Sequence, residues 1–282
     1  MEQKTLKQLE KQAESIRESI VKMLLAAGSG HSAGPLGMAD YMTALYFRVM
    51  RHDPKDPDWS ERDLFFLSNG HCAPVLYATM AHAGYFPKKE LMSLRQLGSR
   101  LQGHPERTAL PGLESTSGPL GSGVSQASGV ALSLKLDQNK NRMVYVSVGD
   151  GELNEGNNWE AIMFASKYNL DNLVAIIDRN SIQIDGNTEE VMPLEDLKLK
   201  WESFGWHVQE VDGHNIEAII DACAMARSVN GRPSVIIAHT IPGKGVDFME
   251  DDFRWHGKVP NQKQAREALH DLRSLQGKVI YD

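Results

Sequence analysis

Residues 143–180, MVYVSVGDGELNEGNNWEAIMFASKYNLDNLVAIIDRN, decide the fold. Two apolar runs, 143–148 (MVYVSV) and 173–178 (LVAIID), bracket a helix-forming stretch over 156–168, a pattern that predicts one βαβ unit. Unbroken rather than alternating apolarity predicts parallel strands covered on both faces. A right-handed crossover brings both strand ends to one edge, where open α/β sheets bind their ligands. The first strand ends on Gly149-Asp150-Gly151 and the second on Asp178-Arg179-Asn180-Ser181-Ile182, so a carboxylate and a carboxamide arrive as neighbours.

The flanking sequence extends this α/β plan. Leu6, Leu9, Ala13, Ile16 and Ile20 recur at helical spacing and predict a helix over 3–27, stopped by Gly28 and Gly30. After a loop, HSAGPLG, residues 38–50 read as a core helix, and 63–68 as a short buried strand ending at Asn69-Gly70-His71. Residues 88–117 begin helically and become a polar loop of functional length. A small-residue helix is expected over 124–136, with its N-terminus, behind Gly118 to Gly123, placed to receive an anion. A helix over 216–228, a strand over 233–238, a Gly-rich loop over 241–257 and a helix over 262–275 complete the chain. With no repeat, low-complexity tract or linker, the expectation is one domain over 1–282: a parallel sheet flanked by helices on both faces.

Composition narrows the function. The 282 residues, 41% hydrophobic and 24% charged, are those of a globular protein able to bury its own core. Thirty Lys and Arg against 37 Asp and Glu leave a net charge of −7, which offers no attraction to nucleic acid. Cys72 and Cys223 have no C-x-x-C spacing and fit buried thiols in a reducing compartment. The first 25 residues are too charged for a signal peptide, and no apolar run reaches a membrane span of about 18 residues. A cytoplasmic protein without a membrane or nucleic-acid partner is expected.

Asp150 and Asn180 are hard oxygen donors of the kind that hold Mg²⁺ together with phosphate oxygens and water. Gly149 and Gly151 let the backbone approach a diphosphate closely. Five of the ten histidines, His31, His71, His104, His214 and His256, adjoin a glycine, where bent backbone and function concentrate. Imidazole can take and return a proton at neutral pH. His214, taken alone, reads as a turn cap. Lys244, in PGKG, reads either as a loop charge or as an anion contact.

The spacing of 30 residues from Asp150 to Asn180 resembles a thiamine diphosphate signature, and further blocks agree in order. They are SGHSAGPLGMADYMTALYF, LSNGHCAPVLYA, LQGHPE, TSGPLGSGVSQASGVAL, GDGELNEGNNWEA, DRNSIQIDG, DGHN and KGVDFMEDDFRWHGKVPN. Together they resemble the N-terminal, diphosphate-binding portion of transketolase. The resemblance implies that Asp150, Asn180 and the Ile182 carbonyl hold Mg²⁺, or Ca²⁺ or Mn²⁺. It puts His71, Gly118 and Gly151 near the diphosphate, and Leu120 and Ile184 around the cofactor. His31, His104 and His256 match the histidines of the substrate channel, and Glu155 and Glu160 match acidic positions at the subunit interface near the partner's cofactor site. The alternative for the two glutamates is first-turn acids favoured by the helix dipole.

The family's second domain, which supplies the catalytic glutamate, has no counterpart before Asp282. The resemblance therefore implies the N-terminal subunit of a split transketolase, completed by a C-terminal subunit carrying the pyrimidine pocket in an α2β2 assembly and acting on sugar phosphates of the pentose phosphate type. In the family a proline follows the first histidine directly, whereas Ser32 stands there in this chain. That departure leaves the two-carbon donor open, branched and sulfonated sugars included. Half of a 1-deoxyxylulose-5-phosphate synthase, a NAD-binding dehydrogenase domain and a non-catalytic relative are the competing readings.

Overall fold

The computed structural model describes residues 3–138 and 141–278. Helix α1 (Gln3–Ala27) is followed by the short helices α2 (Ala33–Gly37) and α3 (Ala39–Ala44), the latter running into a π turn over Leu45–Val49. Strand β1 (Leu64–Leu67) leads through a tight turn into α4 (Ala73–Ala83), and irregular backbone then reaches α5 (Gly123–Leu136). The deciding segment is β2 (Val144–Gly149), α6 (Gly156–Lys167) and β3 (Leu173–Arg179). A small hairpin, β4 (Ile182–Gln183) and β5 (Gly186–Asn187), precedes α7 (Thr188–Val191) and α8 (Leu197–Ser203). Strand β6 (His207–Asp212), α9 (Ile216–Ser228), β7 (Ser234–His239) and α10 (Gln262–Lys278) close the order.

Five parallel strands form one sheet in the order β1-β2-β3-β7-β6. Successive side chains of a strand point to opposite faces, and here both faces are apolar. Phe65, Tyr145, Val174, Ile176 and Ile236 pack with α1, α3, α4, α9 and α10, whereas Phe66, Val146, Ala175, Ile177 and Ile237 pack with α5, α6 and α8. Both layers explain why the central strands are apolar without alternation. Trp159 packs against Trp201 and Phe204, and its indole N–H donates to the Leu153 carbonyl. Cys72 and Cys223 are buried free thiols, and among the described residues no helix is long and apolar enough to cross a membrane.

Two sequence expectations need correction. Residues 33–37, within the expected loop HSAGPLG, are helical, and the expected single helix over 38–50 is α3 plus a π turn. Gly34 and Gly37 permit this, since a Cβ would lie 2.9 Å from Cys72 Sγ and 2.9 Å from the Ile241 carbonyl oxygen, respectively. Strand β6 carries no apolar run because it is the edge that stays open to water, with His207 and Gln209 half-buried and Glu210 exposed, whereas the other edge, β1, is buried throughout. Helices α4 and α8 were likewise not delimited by the sequence pattern; α4 is apolar all round because it is buried all round.

A buried ionic network ties α1 to the ligand edge of the sheet. The Arg17 guanidinium pairs with Asp40 and donates through Nε to the Leu36 carbonyl at 3.0 Å. His214, in the loop after β6, meets Asp40 Oδ2 through Nδ1 at 2.7 Å, and its Nε2 accepts the Ile241 amide at 2.8 Å. Because Nε2 accepts, the ring proton of neutral His214 lies on Nδ1 and faces Asp40. Burial pushes the Asp40 pKa up, but the Arg17 charge and the hydrogen bonds from His214 and Arg17 outweigh it and hold the carboxyl below the ordinary value. His214 is thus more than a turn cap: it joins three separate segments.

Removing the shared acid strands a buried guanidinium. Asp40→Ala is expected to lower the stability of the chain by about 3–5 kcal/mol, measured by urea unfolding at pH 7. A loss below about 1 kcal/mol would show that the network is solvated rather than buried.

Candidate functional site

The parallel sheet sends its strand ends to one edge, and a cavity of about 320 Å³ opens there, lined by residues that follow or end β1, β2 and β3. Gly149 of β2 pairs with Asp178 of β3, so Asp150 and Asn180 emerge side by side. Asp150 is 1% exposed; Oδ1 accepts the Gly151 amide at 2.7 Å, and Oδ2 accepts the Ser181 amide at 2.6 Å and Arg179 Nη1 at 3.2 Å. Asp178 is equally buried, accepting Asn180 Nδ2 at 2.7 Å and the Thr240 hydroxyl at 2.6 Å.

Burial raises the pKa of both carboxylates. Asp150 is pushed up to about 6 even though Arg179 and its hydrogen bonds pull it down. Asp178 is pushed up to about 7 by burial, with the Asp150 charge adding to it against the opposing hydrogen bonds from Thr240 and Asn180. Two buried acids with only Arg179 nearby make this end of the cavity a place that favours a cation. Asn180 turns its Oδ1 to the Ile182 amide at 3.0 Å. Among the described residues no three His, Cys, Asp or Glu converge to hold a metal ion. Asp150, Asn180 and the adjacent backbone are therefore a partial oxygen donor set, of the kind that phosphate oxygens and water complete around a hard cation.

Glu152, which the sequence reading did not single out, organises the wall. It is 3% exposed, and Oε1 accepts the Ser68 hydroxyl at 2.5 Å and the Gly121 amide at 2.8 Å, while Oε2 accepts the Gly149 amide at 3.1 Å. One carboxylate thereby joins the ends of β1 and β2 to the 118–123 turn. Ser68 Oγ in turn accepts the Gly123 amide at 3.0 Å, and a Cβ at Gly123 would lie 2.3 Å from Ser68 Oγ, so only glycine fits. The amides of Gly121 and Gly123 are thus committed to Glu152 and Ser68. Asn69, also unassigned in sequence, lines the cavity and accepts the Ser147 hydroxyl at 3.2 Å.

Opposite the acids stands a histidine cluster. The ring centroids of His31 and His71 are 4.9 Å apart, those of His71 and His256 5.1 Å, and those of His31 and His256 5.5 Å. His104 lines the same cavity. Burial lowers the pKa of all four. His31 falls to about 4, with the charges of His256, Arg95 and His104 adding to burial. His71 falls well below its ordinary value for the same first reason, and His104 and His256 fall as well. Neutral at pH 7, these rings keep a free lone pair for a substrate proton. The Nδ1 atoms of His31 and His256 are buried with no protein hydrogen-bond partner, the mark of atoms that meet a ligand or water.

His31, His71, His104, Gly118, Leu120, Asp150, Gly151, Asn180, Ile182, Ile184 and His256 all line this one cavity. Leu120 is 41% exposed and Ile184 67% exposed at its rim. Glu155 and Glu160 are not brought to it: both lie exposed at the start of α6. Lys244 stands 3.5 Å from Glu250 and away from the cavity lining.

Comparison with known proteins fits this geometry. Residues 9–272 match the family described as transketolase, thiamine diphosphate binding domain. The chain is 42% identical over 264 residues to the SqwG component of the 6-deoxy-6-sulfo-D-fructose transketolase of Clostridium sp. (strain MSTE9), covering 94% of this chain and 96% of that protein. It is 42% identical over 264 residues to one of the subunits of the apulose-4-phosphate transketolase of Phocaeicola vulgatus, covering 94% and 93%. A crystal structure of a transketolase mutant from Pichia stipitis superposes with a TM-score of 0.89 at 36% identity, covering 94% of this chain and 40% of that one. The chain thus spans less than half of that longer protein.

The electrostatics of the cluster predict how it titrates. In NMR of the isolated chain the His31 ring is expected to titrate near pH 4, below the ordinary value of 6.5, because burial disfavours its charged form. Between those values the unfolded chain binds the extra proton, so this ring subtracts stability as pH falls through that window. A midpoint at 6.5 would mean that the ring is solvated.

Proposed function

The chain belongs to the transketolase family of thiamine diphosphate binding domains, and we propose that it is the N-terminal, diphosphate-binding subunit of a two-chain transketolase. The reaction is transfer of a two-carbon ketol unit from a ketose, phosphorylated or related, to an aldose. The observation that carries this reading is one cavity holding, at one end, Asp150 and Asn180 on neighbouring strand ends and, at the other, three imidazoles within 5.5 Å of each other. Its two ends suit a metal-bound diphosphate and a polyhydroxylated substrate.

In this reading Asp150, Asn180 and the Ile182 carbonyl hold a divalent ion, Mg²⁺ or in its place Ca²⁺ or Mn²⁺. The raised pKa of buried Asp150 fits that role, since a cation favours the carboxylate that burial disfavours. Gly118 and Gly151 border the diphosphate, His71 stands beside it as a neutral donor, and Leu120 and Ile184 cover the cofactor's apolar parts. When bound, thiamine diphosphate supplies the nucleophilic carbon and the electron sink of the reaction. The protein's share is position and proton traffic. His31, His104 and His256 hold the sugar hydroxyls, and a neutral imidazole among them accepts the proton of the hydroxyl next to the bond that breaks and returns it to the acceptor.

The relatives that this chain matches over at least 93% of their length are themselves named as subunits, which supports a separate C-terminal chain as partner. That chain would carry the pyrimidine pocket and the catalytic glutamate, in an α2β2 assembly. Glu155 and Glu160, exposed at the start of α6, suit a place at the interface rather than in the cavity. A cytoplasmic enzyme of sugar phosphate metabolism follows from this reading. The named relatives are transketolases of 6-deoxy-6-sulfo-D-fructose and of apulose-4-phosphate, so the donors tested should include both besides the ordinary ketose phosphates of the pentose phosphate route.

With the partner subunit present, Asp150→Ala is expected to abolish Mg²⁺-dependent binding of thiamine diphosphate in calorimetry. His104→Ala is expected to bind the cofactor as the unaltered chain does and to lose turnover by about 100-fold or more. Cofactor binding that survives Asp150→Ala unweakened would remove the metal assignment.

A further inference from the structure

The loop before α2 and the segment after His256 meet through one side chain. Ser32 is the N-cap residue of α2 and 1% exposed, and serine is among the residues that most often cap a helix with their own hydroxyl. Here it does not. Ser32 Oγ makes no bond to the amides of α2 and donates instead to the Lys258 carbonyl at 2.6 Å, while the Ser32 carbonyl accepts the Leu36 amide at 3.1 Å. A buried hydroxyl that leaves its own helix uncapped is committed to the contact it makes elsewhere. A proline, which follows this histidine in the family, has no hydroxyl and could not make the bond.

Both ends of that bond adjoin an imidazole of the cavity. Ser32 follows His31 directly, and Lys258 stands two residues after His256. The His31 and His256 rings meet edge to face, with centroids 5.5 Å apart and planes at 87°. The His31 ring also lies against Gly257, where an added Cβ would stand 3.8 Å from Nε2 and 3.9 Å from Cδ2. Among the described residues neither imidazole makes a hydrogen bond to the protein, and both Nδ1 atoms are buried. Their placement therefore rests on packing and on the backbones that carry them. The Gly243 amide donates to the Ala33 carbonyl at 2.8 Å, but that attachment lies at the other end of the 241–257 loop. Among the described residues the bond from Ser32 to Lys258 is the one hydrogen bond between residues 28–32 and 256–259.

We propose that Ser32 is a positioning residue for ketol transfer: by donating its hydroxyl to the Lys258 carbonyl it holds His31 and His256 at the separation at which one substrate meets both rings. Ser32 itself touches neither substrate nor cofactor and acts through the two imidazoles. Such placement matters because a misplacement of about 1 Å at reacting groups can cost about 100-fold in rate. The Lys258 side chain is engaged elsewhere, with Nζ 4.3 Å from the centre of the ring of buried Trp255. The segment after His256 is thus gripped from two sides, by its own aromatic neighbour and by Ser32. The inference rests on the transketolase reading for the roles of His31 and His256, but the tie between the two rings does not.

Two measurements separate these. In the first, NMR of the full isolated chain follows cross-relaxation between the ring protons of His31 and His256, which their 5.5 Å centroid separation makes observable. Ser32→Ala is expected to lose that cross-peak, and an unchanged one overturns the proposal. In the second, the chain with its partner subunit, Mg²⁺ and thiamine diphosphate is assayed with a ketose donor. Ser32→Ala is expected to lower kcat by about 10- to 100-fold while calorimetry gives the same cofactor affinity as the unaltered chain. An unchanged kcat, or a loss of cofactor affinity as large as the loss of kcat, overturns the proposal. A second pair of variants isolates the hydroxyl should Ser32→Ala fail to fold: threonine keeps it and valine copies threonine's shape without it. Ser32→Thr is expected to exceed Ser32→Val in both measurements, and equal behaviour of the two overturns the proposal. Should no donor be turned over by the unaltered complex, the functional reading fails, while the cross-peak still judges the tie made by Ser32.

Discussion

Two carboxylates, Asp150 and Asp178, are buried together where β2 and β3 end, at the floor of the cavity. Their placement follows from the register that pairs Gly149 with Asp178, and burial makes each of them reluctant to ionise. Arg179 offsets part of this cost at Asp150, and Asn180 and Thr240 part of it at Asp178. Under the proposed function a divalent ion supplies the rest. Under the same proposal that electrostatic imbalance is the source of the site's affinity for the ion. The helices on both faces bury the central strands and hold those strand ends in register.

Much of the fold was legible because burial writes itself into sequence. The runs at 143–148 and 173–178 could only be central parallel strands, and the structure places β2 and β3 there within a residue. Strand β6 was not legible, because an edge strand half in water carries His207, Gln209 and Glu210 and no apolar run. Helix α2 was hidden for a different reason. Its Gly and Pro content reads as a loop, and only the close approach of Cys72 and Ile241 explains why those glycines sit in a helix.

The site was legible where chemistry and backbone coincide, at Gly-flanked histidines and at Gly149-Asp150-Gly151, and less so where a residue works through its neighbours. Glu152 stands within the quoted GDGE run yet gave no signal of its own, since its task is to gather Ser68, Gly121 and Gly149, which are 84, 31 and 3 residues away. Ser32 is similar: nothing in GHSAG announces that its hydroxyl passes over its own helix for the Lys258 carbonyl. Asp178 was read as part of a strand end, and its raised pKa emerges only from three-dimensional burial beside Asp150. The partition is physical. Local propensity and periodicity are written over a few residues, whereas a buried charge depends on contacts between distant segments.

The Ser32 hydroxyl donates to the Lys258 carbonyl at 2.6 Å across 226 positions of sequence, and with it His31 comes to lie against His256. Closing so large a loop costs entropy that nearby contacts must first repay. On that argument the contact of His31 with His256 is expected to form late in folding, after the segments around residues 31 and 256 have both docked on the sheet. During synthesis the acid-bearing strands leave the ribosome well before His256 does, so a half-made chain has the acid end of the cavity without the complete imidazole cluster.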